Sequence, residues 1–191
     1  TTDFSSLEFV VYGASPIAES TIVKAREIMK CDLYQVYGLT ETTGAITIMM
    51  PDDHDPERGK LRSCGKALKG VELKVIDDDG NDLETGEIGE VISKSKLNMK
   101  GYWNKPDATK ESIVEGWFYS GDAGFFDQEG FLFIHDRVKD MIVSGGENIY
   151  PAEVENALMS HDEILDAAVV GVPDEKWGES VKGFVLSLIH I

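Results

Sequence analysis

The chain has 191 residues, enough to bury a core for one domain or one domain and a fraction. Its 18 basic residues stand against 35 acidic ones, a net charge of −17, which argues against sequence-independent nucleic-acid binding because phosphates would be repelled. An anionic ligand would therefore need local help from Arg, Lys, backbone amides or a metal, and apolar runs such as 167–172 are far shorter than the roughly 20 residues of a spanning helix.

Leu7 to Tyr12 is a β-rich apolar run that stops at Gly13-Ala14-Ser15-Pro16. Ser15 suits a helix N-cap and Pro16 the first helical position, and Ala18, Ile22, Ala25 and Met29 then recur at helical spacing. A second strand, Leu33 to Tyr37, completes a β-α-β pattern typical of a layered α/β domain. From about residue 60 the texture changes to short strands with acidic turns. Val71, Leu73 and Val75 alternate with polar neighbours, Asp79-Gly80 turns the chain, and Ile88 to Ser93 returns it. Ala123 to Phe126 and Phe131 to His135, joined by Asp127-Gln128-Glu129-Gly130, extend this into antiparallel β structure that suits a small barrel.

After Asp136 come a short strand at Met141 to Val143, a glycine turn, a helix opened by Pro151 with Glu153 and Glu155 in its first turn, and a buried strand at Leu165 to Val172. Charged residues at Asp136 separate two apolar stretches and set a domain boundary there. Cys31 and Cys64 have no metal-ligand spacing and read as thiols in a reducing, cytoplasmic setting. The segment Leu186 to Ile191 reads either as a terminal strand or as a non-native tail, so the expected divisions are 1–135, 136–185 and 186–191.

Three blocks carry chemistry. The first, Tyr37-Gly38-Leu39-Thr40-Glu41-Thr42-Thr43-Gly44, ends a strand in hydroxyls and one acid. Hydroxyls and free amides at such a turn hold phosphate oxygens, while one carboxylate matches how Mg²⁺ is held together with substrate phosphates. Thr40 is thus the phosphate candidate, Glu41 the metal candidate and Tyr37 a ring for a flat base, against a plain Thr-rich turn with a solvated Glu. The second, Tyr119-Ser120-Gly121-Asp122, offers a carboxylate in an aromatic-flanked loop; it suits paired ribose hydroxyls or simply closes its own turn. The third runs from Asp136-Arg137 to Gly145-Gly146-Glu147. Arg137 has a donor fork for ribose or phosphate, or pairs with Asp136 or Asp140; the two glycines let a ligand approach backbone, or make an ordinary turn. The four histidines show no ligand spacing, and Asp77-Asp78-Asp79 lacks the alternating acids of a calcium loop.

Together these blocks resemble the adenylate-forming superfamily of acyl-CoA synthetases, luciferases and peptide-synthetase adenylation domains, over nearly the whole chain to about Val185. The resemblance implies an α/β fold: the C-terminal part of the large domain, with layered α/β and a small antiparallel barrel, followed by the start of the small mobile α+β domain. Tyr12-Gly13-Ala14-Ser15-Pro16 is similar to the family's adenine-binding turn, with Tyr12 a departure seen in some acyl-CoA ligase branches. By the same resemblance Tyr37 stacks on adenine, Gly38 belongs to the nucleotide-binding turn, Thr40 meets the α-phosphate, Glu41 holds Mg²⁺, Asp122 binds the ribose, and Arg137 supports Asp122. Asp136 falls on the family's hinge, Gly145, Gly146 and Glu147 on the thiol-acceptor tunnel, and Gly44 and Ala45 beside the acyl group. The family's phosphate loop would precede residue 1 and its adenylation lysine would follow Val185, so the chain alone is expected not to make acyl-adenylate.

The implied reaction uses ATP, Mg²⁺ and CoA to turn a carboxylic acid into its thioester. Luciferase-like members place lysines where Val143, Ser144 and Gly145 stand, so a general fatty or short-chain acyl-CoA ligase is expected, with peripheral membrane contact open to it. An adenylation domain that loads a carrier protein and a non-catalytic nucleotide-binding module are the competing readings.

Overall fold

A computed structural model describes residues 2–15 and 17–187. The chain divides into two compact units, one running through residue 120 and taking in 124–134, the other combining 121–123 with the chain from 135 onward.

In the first unit, β1 (Phe9–Gly13), α1 (Glu19–Met29) and β2 (Asp32–Leu39) form the expected crossover, with β1 parallel to β2 from Phe9 opposite Asp32 to Gly13 opposite Val36. Antiparallel β3 (Gly44–Met49) and the short β4 (Lys66–Ala67) complete a sheet in the order β1-β2-β3-β4. The apolar spacing of α1 seats Ile22 against Leu33 and Leu61, flanked by Val10, Tyr12 and Val23. The helix does not begin at Ser15: Ala14 holds a left-handed φ of 66°, and the extended N-cap is Ala18. Local turn geometry outcompetes the capping preference of Ser15, and Pro16 lies outside the described residues. The helix stops at Lys30, whose left-handed φ of 52° lets its N–H reach the Arg26 carbonyl.

A second sheet contains β5 (Glu72–Ile76), β6 (Gly89–Lys94), β7 (Ile113–Val114), β8 (Trp117–Phe126) and β9 (Leu132–Arg137), with α2 (Pro106–Ser112) between β6 and β7. Strands β5 and β6 pair antiparallel with Val75 opposite Val91, and β8 borders β6, β7 and β9. Val75, Val91, Leu132 and Cys64 form its core. The turn after β8 is built as its composition indicates: Asp127 Oδ1 accepts the N–H groups of Glu129 and Phe131, 2.9 Å each.

The second unit carries β10 (Ile142–Ser144), β11 (Glu147–Ile149), α3 (Pro151–Met159), β12 (Ile164–Asp174) and β13 (Gly178–Ser187), with sheet order β11-β10-β13-β12. Pro151 takes the first helical position of α3. Only Glu153 lies in the first turn; Glu155 sits farther on and accepts the Val169 N–H at 2.8 Å. The strand expected to be buried is not: in β12 only Val169 is buried, while Leu165 and Val170 are exposed. As an edge strand it turns Ala167, Val169 and Gly171 inward by its period of two and leaves the alternate residues open. Strand β13 runs through Leu186 and Ser187, which pair with Asp166 and Ile164.

Candidate functional site

The first unit presents the Thr40–Thr42 turn between β2 and β3. The two strands meet so closely that a Cβ on Gly38 would lie 2.0 Å from the Gly44 carbonyl oxygen, which only glycine permits. The register shifts between Tyr37 and Gly38, a bulge that redirects the chain into a single 3-10 turn over Thr40–Thr42. Thr42, wholly buried, knits that turn: its hydroxyl accepts the Leu39 N–H at 2.9 Å and lies 2.9 and 2.7 Å from the Leu39 and Gly44 carbonyls, donating to one at a time. Thr43 occupies the left-handed region at φ 59°, costly for a β-branched residue, and donates to the Leu97 carbonyl at 2.6 Å.

These anchors leave Thr40 exposed, its hydroxyl without a hydrogen bond among the described residues. Glu41 is half-buried, and its Oε1 accepts the Tyr102 hydroxyl at 2.7 Å. Its Oε2 has no hydrogen-bond partner among the described residues. Tyr37 is half-buried and packs against the Cys64, Val75, Val91 and Leu132 core, so that core fixes the ring's position. At the end of β1, Ala14 and Ser15 are exposed and Gly13 half-buried. Tyr12 just before them donates to His54 Nε2 at 3.0 Å, while His54 Nδ1–H donates to the Met50 carbonyl at 2.9 Å. Burial holds this imidazole below its ordinary pKa of 6.5, outweighing the Met50 bond. Burial, with the nearby Cys64, pushes Tyr12 up to about 12, so Tyr12 stays a donor.

In the second unit Asp122 lies inside strand β8 rather than in the expected loop: burial alternates through Phe118, Ser120 and Asp122, so the strand runs on past Gly121. Its carboxylate is buried and accepts Arg137 Nε at 2.8 Å, so the ion pair of Arg137 is with Asp122 and not with the neighbouring Asp136 or Asp140 that composition offered. Asp136 does something else: Oδ1 accepts the Arg137 N–H and Oδ2 the Ala152 N–H, 2.8 and 2.9 Å, which satisfies an orphan donor at the start of α3. Gly145 and Gly146 form the β10–β11 hairpin turn with φ of 62° and 88°, the handedness such a turn demands. The Gly145 N–H donates to the Trp177 carbonyl at 2.9 Å, and a Cβ there would press to 2.7 Å from the indole.

Residues 1–103 match the profile of the AMP-binding enzyme family, and residues 153–188 that of the AMP-binding enzyme C-terminal domain. The chain belongs to the AMP-binding enzyme family. It is 44% identical over 185 residues to the fatty acid–acyl-carrier-protein ligase ScoC of Streptomyces coeruleorubidus, covering 97% of this chain and 36% of that one. It is 41% identical over 186 residues to the medium/long-chain-fatty-acid–CoA ligase FadD8 of Mycobacterium tuberculosis, covering 97% and 32%. Among solved structures, o-succinylbenzoate CoA synthetase MenE of Bacillus subtilis superposes with a TM-score of 0.87 in complex with its acyl-adenylate intermediate, at 39% identity over 95% of this chain and 36% of that one. Its complex with ATP and magnesium ion also gives 0.87, at 37% identity, covering 96% and 37%. The chain thus spans about a third of the length of the curated relatives it matches.

The donor set of this AMP-binding chain fits a magnesium ion held jointly with substrate. No group of three His, Cys, Asp or Glu side chains able to cage a metal occurs among the described residues. Glu41 supplies one oriented carboxylate, and Mg²⁺ takes one or two acids plus phosphates and water. No helix among the described residues is long and apolar enough to cross a membrane. Sequence reasoning missed Tyr102, whose bond to Glu41 spans 61 positions, and the Tyr12–His54 pair, separated by 42. Gly101-Tyr102 carries no local signal of a partner so distant.

Proposed function

We propose that this chain is part of an acyl-CoA ligase that activates a carboxylic acid, most simply a fatty acid, with ATP. A carboxylate resists thiol attack because its leaving group is oxide. In the first step its oxygen attacks the α-phosphorus of ATP, the bond to pyrophosphate breaks, and an acyl-adenylate forms. In the second the CoA sulfur attacks the acyl carbon, its proton passes to solvent, and AMP leaves. Fixed donors aimed at the charge developing on phosphate make the largest usual contribution in such sites.

Each part of the chain takes a role in this scheme. Thr40 donates to an α-phosphate oxygen, Tyr37 and the Gly13-Ala14-Ser15 turn contact adenine, and Asp122, steadied by Arg137, accepts the ribose hydroxyls. Glu41 holds Mg²⁺, which when bound neutralises phosphate charge. Gly44 and Ala45 leave room for the acyl group. The bare backbone of Gly145 and Gly146, with Glu147, borders the path of the thiol. Asp136 serves as the pivot and travels with the second unit, because both its carboxylate oxygens bond within that unit.

The observation that carries this reading is the Thr40–Glu41 turn, which exposes one hydroxyl and one tethered carboxylate side by side in an AMP-binding chain. Transfer to a carrier protein instead of CoA is the second reading, favoured by the similarity to a fatty acid–acyl-carrier-protein ligase. The test is AMP formation by the full-length gene product across acids of varied length, with CoA or an acyl-carrier protein as acceptor. CoA-dependent AMP release is expected; release that needs the carrier protein selects the second reading, and none with either rejects both.

A further inference from the structure

We propose that Tyr102 is a positioning residue that sets the Glu41 carboxylate for the metal, an inference that rests on reading Glu41 as the Mg²⁺-holding acid. The segment from Leu97 to Tyr102 ties the Thr40–Thr43 turn at three points. The Leu97 carbonyl accepts the Thr43 hydroxyl at 2.6 Å, the Met99 N–H donates to the Glu41 carbonyl at 2.6 Å, and the Tyr102 hydroxyl donates to Glu41 Oε1 at 2.7 Å. The first holds the Thr43 hydroxyl and the second the Glu41 main chain. The third alone holds the charged group.

Tyr102 is itself fixed before it reaches Glu41. Its N–H donates to Thr109 Oγ1 at 2.9 Å, and that hydroxyl donates to the Lys105 carbonyl at 2.9 Å, so the start of α2 steadies the tyrosine backbone. At the other end of the segment, Asn98 Nδ2 donates to the Ser93 carbonyl at 2.9 Å and the Leu97 N–H to Ser95 Oγ at 3.0 Å, which fasten it to the end of β6. The terminal torsion of a glutamate is broad and nearly two-fold, so an unbound carboxylate spreads its oxygens over many directions. The phenol hydroxyl donates to the carboxylate at 2.7 Å, a hydrogen bond to a charged acceptor. That bond occupies Oε1 and stops the rotation, and Oε2 is presented as a single, directed ligand. One fixed oxygen is what a cation with strict octahedral geometry selects from a lone acid.

The test uses the full-length protein with a non-hydrolysable ATP analogue and calorimetric titration of MgCl₂ into the protein–nucleotide complex, in wild type, Glu41→Gln, Tyr102→Phe and Thr43→Ala. Tyr102→Phe keeps the ring and removes only the donor; about a tenfold loss of Mg²⁺ affinity is expected, from a hydrogen bond to a charged group. Its affinity for the analogue in EDTA and its melting temperature should match wild type. Thr43→Ala cuts the tie that the same segment makes to an uncharged side chain and should leave Mg²⁺ affinity unchanged. Equal weakening in Thr43→Ala and Tyr102→Phe, or loss of metal-free binding in Tyr102→Phe, shows a loop staple and overturns the proposal. Wild-type Mg²⁺ affinity in Tyr102→Phe alongside a large loss in Glu41→Gln overturns it while the metal role of Glu41 stands. Unchanged affinity in Glu41→Gln removes that role and this inference with it.

Discussion

The Thr40–Gly44 turn and the Gly145–Gly146 hairpin both follow a strand and both need glycine, yet they are held in opposite ways. The first is gripped by side chains and backbone from remote sequence, Thr42 within and Leu97, Met99 and Tyr102 across, and so presents a hydroxyl and a carboxylate in fixed directions. The second is held by positive φ at two residues and by one backbone bond to Trp177, and presents bare main chain. A surface that must neutralise charge needs oriented polar atoms; a surface that a slender ligand slides along needs side chains removed. The two turns fit the two half-reactions proposed above.

That contrast is broken most severely at Glu41. Glu41→Gln in the full-length enzyme keeps the side-chain shape and removes its charge, and Mg²⁺-dependent acyl-adenylate formation should fall by about two orders of magnitude or more, the scale of losing one preorganised electrostatic group. Pyrophosphate exchange with saturating ATP and acid measures it; unchanged exchange rejects the metal assignment. At the other turn, Gly145→Val adds a branched side chain where φ is 62° and Trp177 lies within 2.7 Å of the first new carbon. Thioester formation should drop by roughly tenfold or more while pyrophosphate exchange persists, since backbone strain of about 1–3 kcal/mol is confined to the hairpin. Equal loss of both steps would break the separation of the two turns.

Smaller changes sharpen the comparison. Thr42→Val is nearly isosteric but takes the hydroxyl acceptor from the half-buried Leu39 N–H, and should lower the unfolding free energy by about 1 kcal/mol in chemical denaturation. The smallest expected effect is a pH dependence at the support of the Gly13-Ala14-Ser15 turn. Burial lowers the native pKa of His54, so the unfolded chain binds the proton more readily. Its contribution is complete above pH 6.5 and is lost as pH falls from there toward the lowered native value. Denaturation midpoints compared between wild type and His54→Gln should differ in slope below that pH and coincide in slope above it.

What the sequence made legible was local. The β1-α1-β2 crossover showed in apolar spacing, the β5–β6 hairpin in alternation, the Asp127–Gly130 turn in its turn residues, and the start of α3 in Pro151 at its first position. The candidate site was legible as three short strings, because a strand end rich in hydroxyls and a paired glycine turn are local arrangements. Competing geometry decided the rest. The helix cap fell to Ala18, beyond a left-handed Ala14, instead of to Ser15, and Asp122 was drawn into β8 by strand pairing. Strand β12 is apolar yet open because it borders the sheet edge, and exposure depends on neighbours rather than composition. The Tyr102 bond to Glu41 joins segments 61 positions apart, with no spacing rule to announce it.

The most direct measurement is a crystal structure of the full-length enzyme with bound AMP. An α-phosphate oxygen within about 3.2 Å of Thr40 Oγ1 is the predicted result, the ordinary limit for a hydrogen bond. AMP bound with its phosphate away from the Thr40–Glu41 turn would contradict the account.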